Sequence, residues 1–312
     1  MSVPAQLEVR PESEDVAEPV VRLRHPLRWV LTVGVGLIVL AGVISLLTND
    51  RYQWDVVFGY FLSPQILNGL VATLWLTVVA MVAGIVLGVI IAIMKLSAIP
   101  TLRYIATVYI WFFRGTPVFV QLLFWGYISV LYPDISIGVP FGQQFFGVPT
   151  NVVITPVLAA ILGLGLNEGA YMAEIVRTGI LAVHTGQIEA AQALGMKQGR
   201  ILRRIVLPQA MRVIIPPTAN ETIAMLKTTS LVSVLAFPEL LYSAQLIYSQ
   251  NFQTIPLLIT ASIWYLLVTS VLTVGQFYLE RYYGRGTRPS TKGGRTYIPV
   301  FSRRRTAPGG QS

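Results

Sequence analysis

EAAQALGMKQGRILRRIVLPQAMRVIIPP, residues 189–217, is a polar, basic, helix-forming stretch set between long apolar runs. Ile188, Ala191, Leu194 and Gly195 recur at i, i+3 and i+4 spacing, so a short helix over about Gln187 to Leu194 is expected to show one face of small and apolar side chains. Gly195 stands just past the last periodic residue, where a glycine usually ends a helix. Glu189 lies near its start, where a carboxylate favours the helix dipole. A loop of this kind between membrane spans is open to contact by another molecule.

The flanks place that loop in a membrane protein. With 54% hydrophobic and 12% charged residues and a mean hydropathy of +0.64, the chain is too apolar for a soluble domain of its length. A span needs about 20 mostly apolar residues. Reading for such runs gives Leu27–Leu47, Ile66–Met94, about Tyr104 to Leu131, Val152 to about Val176, a weaker stretch from about Ile205 to Phe237, and Ile255–Leu279. The first is longer than a signal-peptide core and follows a segment rich in Glu and Asp, so it is expected to be retained. Basic residues set the orientation. They gather before the first span, in the second loop (Lys95, Arg103), in or beside the fourth (Arg177, Lys197, Arg200, Arg203, Arg204, Arg212) and after the last span, whereas the loops near 48–65, 133–151 and 238–254 hold only Arg51. Both termini and the 189–217 loop are therefore expected in the cytoplasm.

Charges that remain at membrane depth point to a pathway. The fifth span carries Arg212, Asn220, Glu221, Lys227, Thr228, Thr229 and Ser230 together with Pro208, Pro216 and Pro217. A charge at the bilayer centre costs at least about 2.5–3.5 kcal/mol, so these groups are expected to face a water-filled cavity, a subunit interface or each other. Asn220, Glu221, Lys227, Thr229 and Ser230 then line a route for a polar solute; the alternative is that Glu221 and Lys227 pair internally for packing. A helix break is expected at Arg114–Pro117, with Thr116 as N-cap and Pro117 as first helical residue. Either the half-helix meets a carboxylate with its positive end, or RGTP is a cytoplasmic elbow whose Arg114 pairs with Glu168 or Glu174. Glu174 and Arg177 are spaced for a local ion pair. Asn167 and Glu168, beside Gly165 and Gly169, are candidates for a gate or a helix-contact network. His25 and His184 have no partners at metal spacing, so no metal site is expected. Without cysteine, disulfides and thiolate sites are excluded.

The loop resembles the EAA loop of permease subunits of ATP-binding-cassette importers, carried here by Glu189, Ala190, Ala191, Gly195 and Pro208. NEGAYMAEIVRTGI (167–180), LPQAMRVIIPP (207–217), LKTTSLVSVL (226–235) and FRGTPVFVQLLFW (113–125) are similar to the polar amino acid uptake branch of that family, and the likeness spans roughly residues 65–283. The resemblance implies an all-α membrane protein with a five-helix type I importer core, 65–283, preceded by one extra transmembrane helix, 27–47. It implies a coupling loop, 185–208, in which Glu189, Ala190, Ala191, Ala193, Leu194 and Gly195 meet an ATPase subunit. It also implies a separate extracytoplasmic solute-binding protein, a second permease copy or sister permease, and a polar amino acid as substrate. No GxxxxGK[ST] occurs, so ATP and Mg are expected on the partner ATPase and no cofactor on this chain. No outer loop exceeds about twenty residues, too short for a fused binding domain. The tails, 1–26 and 284–312, are expected to be disordered, and the basic second one is drawn to the anionic surface of the bilayer. RRR at 303–305 lacks interleaved aromatics, so no nucleic-acid partner is expected. An alternative from another class is a secondary transporter driven by an ion gradient, with Glu168, Glu221 and Lys227 as relay. Nothing supports an enzyme, since no nucleophile–base pair or metal cluster is legible.

Overall fold

The computed structural model of the chain describes residues 26–138 and 144–283. The tail expectations therefore lie outside the described residues, apart from Pro26, as does His25. Of the described residues, those up to Tyr52 form one unit and those from Gln53 another. The first holds α1 (Pro26–Thr48) and a 3₁₀ turn, Asp50–Tyr52. Apart from half-exposed Gly34, its side chains from Leu27 to Thr48 are exposed, and by length and apolarity it can cross a membrane.

The second unit opens with α2 (Trp54–Phe61) and α3 (Pro64–Leu96). Pro64 starts α3 at a position where its missing N–H costs nothing. At 33 residues α3 is about 50 Å long, more than the hydrocarbon thickness of a bilayer. Then come α4 (Pro100–Gly115), α5 (Val118–Gly126) and α6 (Ile128–Leu131), followed by an antiparallel ribbon of β1 (Asp134–Gly138) and β2 (Gln144–Pro149). After α7 (Thr150–Val153), α8 (Pro156–Leu181) starts at Thr155, whose hydroxyl accepts from the Leu158 N–H at 3.3 Å. The chain continues through α9 (Thr185–Ala193), α10 (Gln198–Ile201), a π-helical turn (Leu202–Val206), α11 (Leu207–Thr228) and a 3₁₀ segment (Thr229–Leu235). It closes with α12 (Leu240–Asn251) and α13 (Thr254–Tyr283).

The centre of this unit is α8, which packs on α3, α4, α5 and α11. Its contact with α3 is close because Gly84 has no side chain: a Cβ there would lie 2.5 Å from Glu168 Cγ. Four apolar clusters run through the unit. One joins Leu76 and Ala80 to Leu122, Leu164, Met225 and Val232. Another joins Ile66 and Leu70 to Leu240, Ala244 and Leu257. A third sets Ile91 and Ala173 on Ala106 and Ile110 of α4. The last lies under α9 and is taken up below.

Among the described residues four helices, α1, α3, α8 and α13, can each cross a membrane by length and apolarity, and two bent pairs raise the number to as many as six. The third span is not one helix, since α4 and α5 meet at 99°. The fifth holds Pro216 and Pro217 inside α11 rather than at a break, and its bend, 45°, comes only before α12. The segments read as outer loops are structured. Residues 48–65 contain α2, whose Phe61 stacks on Trp264, and 238–254 contain α12, which buries Leu240, Ala244 and Ile247. Residues 133–151 contain the ribbon, a small exception to the all-α expectation. Helices α2 and α12 are shorter than the run of about 20 apolar residues that a span needs.

Candidate coupling and translocation site

Helix α9 is fixed at both ends by local chemistry. His184 Nδ1 accepts from the Gly186 N–H at 3.2 Å, capping the first turn. At the other end Gly195 has φ +72°, the Met196 N–H donates to Ala191 O at 3.1 Å and the Gly195 N–H to Gln192 O at 2.9 Å. That pair of bonds is a Schellman motif, which requires a residue in the left-handed region. Gly195 therefore stops the helix as its position in the sequence predicts.

The faces of α9 differ from the expected stripe. Ala191 is buried with Val183, Ile201, Val206 and Ala210, and Ile188 and Met196 pack on the same cluster, which extends to Ala92 of α3 and Met172 and Val176 of α8. Leu194 lies after the last helical residue and points away from this core, 83% exposed. Glu189, Ala190, Ala193 and Gly195 are exposed as well. Of the six coupling candidates, Ala191 thus faces the body of the protein and the other five face outward. Gln209 on α11 donates to Gln187 at 2.6 Å, a further tie between α9 and the body.

The pathway candidates separate into groups. Glu174 is held by Lys95 and Arg177, each at 2.8 Å, so the local pair expected from spacing forms and gains a partner from α3. Arg114 pairs with neither Glu168 nor Glu174; its guanidinium lies 5.1 Å from the centre of the Tyr171 ring, a cation–π contact. The break after Arg114 abuts the middle of α8, where Asn167 donates to Phe113 O at 2.8 Å, about 21 Å along the helix from Leu181. RGTP is thus a sharp elbow, 99°, beside the middle of α8, without the Glu168 or Glu174 pairing expected of Arg114. Thr116 is not an N-cap for α5: Pro117 occupies that place, and the Thr116 hydroxyl accepts from Gln121.

Glu168 is buried against Gly84, and its Oε1 has no hydrogen-bond partner among the described residues. Its carboxyl is within Coulombic reach of Glu221, and Glu221 within reach of Arg114. Arg114, Asn167, Glu168 and Glu221 thus gather around the α4–α5 break. Asn220 is turned to α13 and accepts from Gln276 at 2.7 Å. Lys227 is exposed and lies six residues, about 9 Å, further along α11 than Glu221. Among the described residues neither Glu221 nor Lys227 forms an ion pair. The Thr229 and Ser230 hydroxyls donate to Leu226 O and Lys227 O. A cleft of about 320 Å³, lined by Tyr127, Ser129, Asn151 and Ala236 among others, contains none of the pathway candidates.

Two side chains of consequence went unread in the sequence. Glu239, assigned to an outer loop, is fully buried and caps α12, accepting from the Leu241 and Tyr242 N–H groups at 2.9 and 2.7 Å and from the Tyr265 hydroxyl at 2.9 Å. Its signal was an acid directly before an apolar helical run. Gln121 is buried within α5, and its signal was a lone carboxamide inside an apolar run.

Long apolar helices that can cross a membrane, with a short capped helix seated on one end of their core by Ala191 and exposed on its other face, define the membrane subunit of a transporter. Residues 84–284 match the family described as binding-protein-dependent transport system inner membrane component, and this chain belongs to it. It is 46% identical to the arginine transport system permease protein ArgU of Corynebacterium glutamicum over 268 residues, 85% of this chain and 83% of that one. It is 35% identical to the L-cystine transport system permease protein TcyB of Bacillus subtilis, covering 76% of this chain and 94% of the relative. A chain in the crystal structure of an amino acid ABC transporter with histidines superposes with a TM-score of 0.60 at 35% identity, over 70% of this chain and 94% of that one. The protein is thus the non-catalytic, multi-pass inner-membrane permease of a binding-protein-dependent ABC importer, with ATP bound by a partner ATPase and solute delivered by a binding protein. Family membership sets aside the ion-gradient transporter.

Proposed function

We propose that this permease passes a polar amino acid through the region around Arg114, Asn167, Glu168 and Glu221, driven by force that enters at α9. The observation that carries the coupling is the division of α9 into two faces. Its exposed face, with Glu189, Ala190, Ala193, Leu194 and Gly195, is free to seat on an ATPase, while Ile188 and Ala191 share one apolar core with α3, α8 and α11. Close-packed cores transmit displacement rather than absorb it. A push on α9 therefore tilts the helices that flank the pathway, giving alternating access.

The chemistry of the pathway suits a zwitterion. Arg114 offers a guanidinium to the α-carboxylate, and Glu168 and Glu221 offer two carboxyls to cationic groups. With two acids against one base the cluster favours an amino acid with a basic side chain, in keeping with the arginine system named for one relative. Asn220 and Lys227 of α11 and Ser230 of the 3₁₀ segment after it serve the later part of the route, with Thr229 buried beside Leu226. One chain presents one coupling helix, so the assembly includes a second permease, a copy or a sister chain, and two ATPase subunits. The functional body is 65–283, with the coupling loop at 185–208 and the helix at 27–47 as an addition. Both termini lie in the cytoplasm, and the basic tail meets anionic lipid.

Uptake into proteoliposomes holding the permease, its ATPase and its binding protein tests this reading. Accumulation of L-arginine is expected to require ATP and to survive an ionophore; accumulation without ATP that an ionophore abolishes would overturn it. The chain has no cysteine, so Glu189→Cys in intact cells is expected to react only with a membrane-permeant maleimide, and labelling by an impermeant reagent would remove the lever.

A further inference from the structure

Pro117 leaves the backbone at the break with unmet acceptors. In a continuous helix the Phe113 carbonyl would accept from the N–H four residues on, but that residue is Pro117, which has none. The Thr116 carbonyl is orphaned as well, because the Val120 N–H donates to Pro117 O instead. One side chain meets both. The Gln121 carboxamide nitrogen lies 3.1 Å from Phe113 O, 3.1 Å from Thr116 O and 2.8 Å from the Thr116 hydroxyl, so one hydrogen serves Phe113 O and the other is shared between the two Thr116 oxygens. Asn167 of α8 donates to the same Phe113 carbonyl at 2.8 Å. With two main-chain oxygens as acceptors, the NH₂ end of Gln121 must face the break. Its oxygen is left buried without a partner among the described residues, a cost of about 1–3 kcal/mol.

We infer that Gln121 is a positioning residue of the translocation site: its carboxamide clamps the 99° break and so holds the neighbouring Arg114 in place over Tyr171. The clamped carbonyl belongs to the residue just before Arg114, so the bonds from Gln121 and Asn167 fix the point from which the guanidinium projects. An arginine held this way meets a carboxylate with little ordering left to do. The inference rests on the reading of Arg114 as the carboxylate partner of the substrate.

The test measures binding of L-arginine and of L-argininamide, which lacks the carboxylate, to the purified permease–ATPase complex without binding protein. Gln121→Met keeps length and removes the donors. It is expected to weaken L-arginine binding roughly tenfold, about 1.4 kcal/mol, and to leave L-argininamide binding unchanged. Equal loss for both ligands, the mark of a merely structural role, would overturn the clamp, as would wild-type binding of both. Arg114→Met separates the two readings. If it leaves the preference for L-arginine intact, the carboxylate reading and the clamp fall together; if it abolishes the preference and Gln121→Met does not, the clamp alone falls. Should Gln121→Met not assemble, Thr116→Val removes the hydroxyl acceptor. A selective loss of about twofold to threefold for L-arginine is expected, and an unchanged preference would overturn the proposal.

Discussion

Replacing Gly195 isolates the backbone requirement of the coupling helix. Among the described residues a Cβ at Gly195 meets nothing within 4 Å. The cost of a substitution in this chain is therefore conformational. Its φ of +72° is unfavourable for an alanine by roughly 1–2 kcal/mol, which lowers the population of the formed turn about 5- to 30-fold. Asparagine visits this region more readily and should lose less. Aspartate shares that tolerance but sets a negative charge at the C-terminal end of α9, against the helix dipole, at a further cost of about 0.3–1 kcal/mol. The expected order for ATP-dependent uptake and for co-purification of the ATPase is Gly195, then Asn, with Ala and Asp lower, at unchanged membrane insertion. Hydrogen exchange at the Gly195 and Met196 amides, both donors in the Schellman motif, should quicken in the same order. Wild-type uptake and protection in Gly195→Ala would refute the backbone argument. Asparagine proving worse than alanine would instead point to side-chain bulk at the ATPase surface.

Gly84→Val drives a branched side chain into Glu168, whose Cγ lies 2.5 Å from the added Cβ; a loss of about 1–3 kcal/mol in detergent unfolding is expected, with partial recovery in the Gly84→Val, Glu168→Ala double variant. Glu239→Ala removes the cap of α12 and the acceptor of the Tyr265 hydroxyl. It should cost about 2–4 kcal/mol by thermal unfolding, taking a lost cap and an unmet buried donor together, and a change below 1 kcal/mol would contradict its assigned place. Lys227→Met, at an exposed position without an ion pair among the described residues, should leave expression and unfolding within about 0.5 kcal/mol of wild type while altering uptake, and a degraded product would assign it to packing instead.

The sequence by itself determined the six apolar stretches, the placement of α9 and its stop at Gly195, because each depends on local composition or on one backbone angle. It also determined the Glu174–Arg177 pair, which needs only helical spacing. Tertiary structure decided the rest. Whether Ala191 or Leu194 faced the body depended on where Val183, Ile201 and Val206 came to lie. That Arg114 would rest on Tyr171 and not on Glu168 or Glu174 depended on the 99° bend, and on Lys95 reaching Glu174 from a helix 79 residues away in sequence. The burial of Glu239 and the role of Gln121 arose in the same way. Proline left two carbonyls without donors, and only the folded chain decided which amides came near enough to meet them, since a hydrogen bond acts over about 3 Å whatever the separation along the sequence.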